Sequence, residues 1–352
     1  MLMVKVGVIG LGSISDFHLK SYHDDGRAEI VALADMNEQR LKEKGAQYNV
    51  SALYTEIDGL LSDTNVEAVS ICTWNNTHAD LAVKALHAGK HVLVEKPLSI
   101  TTEEALGVQK AQRQTGKIVQ VGFVRRHANN AKWLKDFIET DGLGEIYYAK
   151  ASCLRRLGNP GGWFSDKTRS GGGPLIDLGV HMIDICWYLM GRPKPVSVSG
   201  NAYYKLGNRS NIKHLDFYKA ADYDPTVNSV EDLTNAMIRF ENGASLLVDV
   251  SFTLHAKKDE LSCQLYGDKG GAELEPALKV MTEVNDMIFN MDPQIDHPGL
   301  DMFEAFQSEI SHFVDVIENG AEQIAPVEDG VEVMKMLNAI YQSAKEGREV
   351  LL

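Results

Sequence analysis

Short apolar, β-branched runs alternate with helical stretches through the first third of the chain, and this alternation constrains the fold more than any other feature. "VKVGVIG" (Val4 to Gly10), "EIVALAD" (Glu29 to Asp35), "VEAVSICT" (Val66 to Thr73), "HVLVEK" (His91 to Lys96) and "IVQVGF" (Ile118 to Phe123) read as buried strands. Helical patterns lie between them, including Asn37 to Tyr48, Thr77 to Ala88 and Thr102 to Thr115. Strand, helix, strand in this order implies a parallel sheet with right-handed crossovers.

The pattern changes after Phe123. A helix is expected at about 130–139, and then strand-like stretches dominate: "EIYYAKASCL", "PVSVSGNAYY", "LTNAMIRF", "ASLLVDVSF" and "LSCQLYG". "RFENGASLLVDV" reads as a hairpin with a tight Asn242-Gly243 turn. The sequence therefore predicts an α/β protein of two domains, a dinucleotide-binding domain over 1–123 and an α+β domain over 124–352. The second should carry a large, open, mostly antiparallel sheet. Two tail helices are expected at Met302 to Glu318 and Gly330 to Lys345, with the C-terminal helix free to pack back on the first domain. A length of 352 residues, 44% of them hydrophobic, supplies core for both domains.

Net charge is −14. An acidic surface argues against nucleic-acid binding and against anionic membranes. No apolar run approaches a membrane span, and "MLMVKVGVIG" lacks the pattern of a signal peptide. The four cysteines, Cys72, Cys153, Cys186 and Cys263, are scattered. They read as reduced thiols of a cytoplasmic protein.

The turn after the first run holds Gly10, Gly12, Ser13 and Ile14, followed by Ser15. The first glycine permits a tight turn, and the second lets the backbone approach a pyrophosphate at a helix N-terminus. The third fingerprint position is Ser15, which is small but not glycine. Asp35 ends the second run, 25 residues after Gly10. A carboxylate there accepts hydrogen bonds from the adenosine ribose and repels a 2′-phosphate, which favours NAD over NADP. Arg40 is placed to meet the adenine or a phosphate. Capping the next helix is the alternative for Asp35. Thr73, Trp74 and Asn75 end the following run, where the nicotinamide ribose should pass. Thr77 is the expected N-cap of the next helix. His78 is a first-turn residue or a cofactor contact.

The strand His91 to Val94 ends in Glu95, Lys96 and Pro97, and a second segment reads "GGGPLIDLGVHMIDICWYLMG". With "GVIGLGSIS", "ALADMNEQRL", "HADLAVKALHAGKHVLVEKPLS" and "VGFVRR", these stretches resemble the glucose–fructose oxidoreductase, inositol dehydrogenase and rhizopine-catabolism (Gfo/Idh/MocA) family. The resemblance spans nearly the whole chain in order. It implies a Rossmann domain, an α+β domain whose open sheet serves oligomer formation, and NAD(P)-dependent redox chemistry on sugars, polyols or related carbonyls. A homodimer or homotetramer is expected. Lys96 would match the family's catalytic lysine, Asp177 and His181 its substrate-binding and proton-transfer pair, and Arg126 a substrate contact.

Those residue types suit the chemistry. Oxidation of a secondary alcohol needs a proton acceptor and stabilisation of the developing oxygen charge. Histidine titrates in the useful range, and the Lys96 ammonium at the strand's carboxyl end can reach both the substrate hydroxyl, where it stabilises an alkoxide, and the nicotinamide ribose. Asp177 and His181 are i and i+4, so they share a helix face, which Asp184 and Tyr188 continue. The alternatives are a first-turn carboxylate and a core histidine. Glu95 should hold the nicotinamide side or the local backbone. Trp163, with Phe164 in a Gly-rich stretch, offers a platform for a sugar face. Arg125, Arg155, Arg156 and His255 are further candidates. With no HxxxH and no cysteine beside His181, no metal is expected. Two competing readings remain, a glycoside hydrolase of the same fold that uses NAD transiently, and a non-catalytic sensor of NAD or sugar.

Overall fold

The computed structural model describes residues 3–352. The chain divides into two compact units, one formed by Met1–His127 with Met302–Met334 and the other by Ala128–Asp301 with Lys335–Leu352.

The first unit is a parallel sheet of β1 (Val4–Ile9), β2 (Ala28–Ala34), β3 (Ala52–Tyr54), β4 (Ala68–Ile71), β5 (His91–Glu95) and β6 (Val119–Gly122). Their order is β3-β2-β1-β4-β5-β6. The order reverses at β1, so the carboxyl ends of β1 and β4 flank the switch point where such sheets bind ligands. Helices α1 (Ser15–Asp25), α2 (Glu38–Tyr48), α3 (Ile57–Ser62), α4 (Asn75–His87) and α5 (Thr102–Thr115) connect the strands. Strand interiors such as Val92, Leu93 and Val94 are fully buried, as expected for a sheet covered on both faces. β3 was not foreseen, since three residues carry too little pattern to read.

The second unit begins with α6 (Asn129–Glu139) and β7 (Ile146–Leu154), and continues through α7 (Lys167–Ser170), α8 (Val180–Leu189) and β8 (Pro195–Tyr203). Six further strands follow: β9 (Leu233–Phe240), β10 (Ser245–Ser251), β11 (Glu260–Gly267), β12 (Gly270–Glu275), β13 (Lys279–Val284) and β14 (Met287–Met291). With the terminal β15 (Val350–Leu351) they form a nine-stranded sheet, β14-β13-β12-β11-β7-β10-β9-β8-β15. Every pairing is antiparallel except β7 with β10. The β9–β10 hairpin is closed by Phe240 N–H donating to the Ala244 carbonyl, with Gly243 at φ +86°. Its loop is therefore Glu241–Gly243, one residue longer than the Asn-Gly turn expected.

The two tail helices are α9 (Met302–Asn319) and α10 (Val327–Glu346). The sequence reading placed 124–352 in the second domain while leaving the C-terminal helix free to pack back on the first; α9 and α10 through Met334 fall in the first unit. The reason lies in α9, where Phe306, Ile310, Phe313 and Val314 are fully buried. The last three join Val4, Leu19 and Leu33 in one core. Arg27 locks this arrangement by donating to Asp315 and to the Ser311 carbonyl.

Candidate functional site

At the end of β1 the chain turns at Gly10, with φ +84°. A Cβ there would lie 2.8 Å from the Cys72 carbonyl oxygen, so only glycine fits. Nothing lies within 4 Å of a Cβ built on Gly12. Open space at that position is what a phosphate-binding turn needs for close backbone approach. Ser15, the non-glycine third position, is buried and donates its hydroxyl to the Gly12 carbonyl at 2.6 Å. The serine thus tightens the turn without a glycine.

Asp35 does not cap α2. Asn37 does, accepting from Arg40 N–H at 3.0 Å. Asp35 instead accepts from Leu11 N–H and Asn37 N–H, each at 2.7 Å, and from the Arg40 guanidinium at 3.1 Å. It is held beside the Gly-x-Gly turn. The Arg40 Nε is buried with no partner in the protein. An orphaned donor beside a fixed carboxylate and an open glycine turn fits the adenosine side of a dinucleotide.

At the end of β4, Trp74 is 40% exposed, and Asn75 is buried as the first residue of α4. Thr77 lies inside the first turn rather than at its cap, and pairs with the Thr73 hydroxyl at 2.6 Å. His78 is 1% exposed. Its Nδ1 lies 2.7 Å from the Pro97 carbonyl and its Nε2 3.1 Å from the Thr73 carbonyl. As a first-turn residue of α4 it ties the loop after β4 to the loop after β5. Burial pushes its pKa down, against the pull of the two carbonyls.

Glu95 also turns inward. Its Oε1 lies 2.8 Å from His18 Nε2, and its Oε2 accepts from Lys96 N–H at 3.2 Å. Its contacts are thus with the His18 side chain and the Lys96 backbone. His18 in turn meets Ser70, which meets the Tyr22 hydroxyl at 2.8 Å. Glu309 of α9 completes a buried cluster with His18 and Glu95, their polar atoms within 4.8 Å of one another. Neither His18 nor Glu309 was singled out from the sequence. Lys96 is half-buried, and its bond to Pro97 is cis.

Arg126 sits in a short turn, Val124–His127, and is 1% exposed. Its guanidinium donates to Asp329 at 2.5 Å and to the Ile324 carbonyl at 2.6 Å. The expected substrate contact meets a side chain already committed to the body of the first unit.

In the second unit, Pro174 leads into a wide turn, Leu175–Gly179, in which Val180 N–H reaches the Leu175 carbonyl, and α8 follows directly. Wide turns of this kind recur at functional sites. Every residue from Gly172 to Met190 is buried except Asp177 and His181. Asp177 and His181 are half-buried. Asp184 and Tyr188, which continue the same face, are buried at 1% and 8%. Tyr188 is flanked by the cations of Lys135 and Arg192. The polar stripe expected on this helix divides into an accessible pair and a structural pair.

Trp163 is half-buried and stacks on Phe164 with ring centroids 3.9 Å apart. Arg156 pairs with Asp259 at 3.2 Å, Arg155 donates to the Gly158 carbonyl, and His255 is exposed. The four cysteines are free thiols.

A switch-point sheet with this glycine turn and this carboxylate is the cofactor unit of a nicotinamide-dependent oxidoreductase. Comparison with known families agrees along nearly the whole chain. Residues 4–123 match the NAD-binding Rossmann fold of the GFO_IDH_MocA oxidoreductases, and residues 135–352 match that family's C-terminal alpha/beta domain. The chain belongs to this family, and its cofactor is NAD. It is similar to the D-glucoside 3-dehydrogenase of Escherichia coli K12, 32% identical over 99% of this chain and 97% of that protein. It is also similar to the myo-inositol 2-dehydrogenase of Thermotoga maritima, 26% identical over 99% and 98%. Among solved structures, levoglucosan dehydrogenase in complex with NADH and L-sorbose shares the fold. The TM-score is 0.87 at 23% identity, covering 100% of this chain and 99% of that one.

Proposed function

We propose that the protein transfers a hydride between NAD and a secondary alcohol or ketone of a sugar, sugar derivative or polyol. The observation that carries the reading is the accessibility of Asp177 and His181 alone on a helical segment otherwise buried from Gly172 to Met190. Half-buried polar groups on so apolar a segment serve a ligand better than they serve the core. The similarity to a D-glucoside 3-dehydrogenase and a myo-inositol 2-dehydrogenase supports the substrate class.

NAD, when bound, supplies the hydride acceptor. The protein's part is proton and charge management. His181 takes the hydroxyl proton through an imidazole nitrogen, and Asp177 binds a substrate hydroxyl and orients that group. The Lys96 ammonium stabilises the charge that develops on the oxygen. Asp35 and Arg40 hold the adenosine half, the turn Gly10–Ile14 holds the pyrophosphate, and Thr73, Trp74 and Asn75 serve the nicotinamide ribose. Trp163 offers an apolar ring to a sugar face. His78 and Glu95 act indirectly, by fixing the loops that carry these groups. We read the protein as a homodimer or homotetramer. Support comes from β14, an edge strand whose Met287, Ile288, Phe289 and Met291 are all exposed, a surface that calls for a cover. Among the described residues no helix is long and apolar enough to cross a membrane.

The test is NADH formation from NAD across a panel of D-glucosides, inositols, aldoses and sugar acids, with His181→Ala alongside. Turnover that His181→Ala abolishes supports the reading. Cleavage of glycosides without net NADH would replace it with the hydrolase.

A further inference from the structure

The pair Asp177–His181 needs a fixed backbone, yet the segment that precedes it is "SGGGP", the least constrained stretch in the second unit. What fixes it is a carboxylate distant in sequence. Glu231, 1% exposed, accepts from Gly173 N–H through Oε2 at 3.0 Å and from Leu175 N–H through Oε1 at 3.2 Å. The same Oε1 accepts from the Tyr341 hydroxyl at 2.8 Å. The Gly173 carbonyl in turn accepts from Asp177 N–H at 3.0 Å and Ile176 N–H at 3.1 Å. A continuous path of hydrogen bonds therefore runs from Tyr341 through Glu231 and Gly173 to the backbone of Asp177.

The surroundings leave this path little room. A Cβ on Gly173 would lie 2.6 Å from the Glu231 carbonyl oxygen, and one on Gly172 would strike the Tyr341 hydroxyl. The glycines are small because Glu231 and Tyr341 press against them. Glu231 is itself anchored through its neighbour. The Asp232 carboxylate accepts from Leu206 N–H at 2.5 Å and Gly207 N–H at 2.8 Å. Burial, and then the Glu231 carboxylate, push the Tyr341 phenol well above its usual pKa, so it remains a donor. A carboxylate on the first N–H groups of a helix also complements the helix dipole.

We propose that Glu231, held by Tyr341, is a positioning residue for the reaction, and that it sets the entry of the helix carrying Asp177 and His181. The inference rests on the catalytic reading of that pair. Misplacement of catalytic groups by about 1 Å costs on the order of 100-fold in rate. A loosened anchor should therefore act on kcat far more than on NAD binding.

The experiment compares wild type, Glu231→Gln, Glu231→Ala, Tyr341→Phe and His181→Ala as full-length proteins. The probe is methyl β-D-glucoside, protonated and deuterated at C3, or else the panel compound that gives NADH, deuterated at its carbinol carbon. The account predicts that kcat per folded site falls roughly 10–100-fold in Glu231→Ala. Glu231→Gln and Tyr341→Phe should lose less, the deuterium isotope effect on kcat should rise, and NAD affinity should stay within about threefold. A merely structural residue would lower thermal stability and the folded fraction while leaving kcat per folded site and the isotope effect unchanged. That result in Glu231→Ala would overturn the proposal. If Glu231→Ala does not fold, wild-type kcat and isotope effect in both Glu231→Gln and Tyr341→Phe would overturn it equally. His181→Ala separates the two failures. Full activity there removes the catalytic reading itself, whereas an inactive His181→Ala beside unaffected Glu231 variants removes only the positioning role.

Discussion

Glu95, the last residue of β5, sets its carboxylate against His18 of α1, Oε1 to Nε2 at 2.8 Å. His18 is fully buried and Glu95 is 5% exposed. The helix that follows the glycine turn is thereby joined to the strand that ends in Lys96. Leaving a buried carboxylate without its hydrogen-bond partner costs about 1–3 kcal/mol or more. His18→Ala should lose stability of that order in urea unfolding, with Glu95→Gln losing less. A loss below about 1 kcal/mol in His18→Ala would show that the contact contributes only as a surface pair does.

Asp35 holds three donors, Leu11 N–H, Asn37 N–H and Arg40. In Asp35→Ser the carboxylate is lost and Arg40 loses its partner. NAD affinity, followed by tryptophan fluorescence, should fall roughly 10–100-fold, the worth of charge-assisted hydrogen bonds. Discrimination against NADP should narrow at the same time. Unchanged NAD affinity would remove Asp35 from the cofactor site.

Arg126 separates a substrate role from a structural one. Its buried pairing with Asp329 predicts that Arg126→Met loses about 3–5 kcal/mol of stability, while KM for the sugar in the folded fraction holds. The double variant Arg126→Met/Asp329→Leu should recover part of that loss. A large rise in KM without loss of stability would instead restore the substrate contact read from the sequence.

His91 accepts from Ile118 N–H through Nδ1 at 3.2 Å, which requires a neutral ring. Burial, and then the nearby Lys117, push its pKa down from 6.5 to about 4. The unfolded chain thus takes up the proton first. The neutral ring's contribution is complete above pH 6.5 and is lost as pH falls from there toward 4. His78, shifted down by burial as well, adds in the same direction. The melting temperature of His91→Gln should fall less steeply than that of wild type between pH 6.5 and 4. Parallel curves would contradict the assignment.

The sequence carried the features that depend on local pattern. The parallel strands showed as short apolar runs, the glycine turn as a motif between strand and helix, and Asp177 with His181 as an i, i+4 pair. What it hid depends on distance along the chain. Glu231 lies 58 residues from Gly173, and Glu95 lies 77 residues from His18. A carboxylate that reaches across such a span leaves no periodic trace. α9 showed its apolar stripe plainly, but nothing in the stripe said which domain it would cover. β12 opens with two glycines, which weaken a strand pattern, and β15 has two residues. Arg126 reads as a substrate contact through the family resemblance alone, and its partner Asp329 lies 203 residues further along the chain.

The most direct test of the central claim is single-turnover NADH formation with NAD saturating and its affinity measured separately. The substrate is a D-glucoside or inositol found active in the panel, and the proteins are wild type, His181→Ala and Lys96→Met. The account predicts that both variants bind NAD within a few-fold of wild type and lose NADH formation by about 100–10,000-fold, the usual worth of general acid–base catalysis. Wild-type rates of NADH formation in His181→Ala would contradict it.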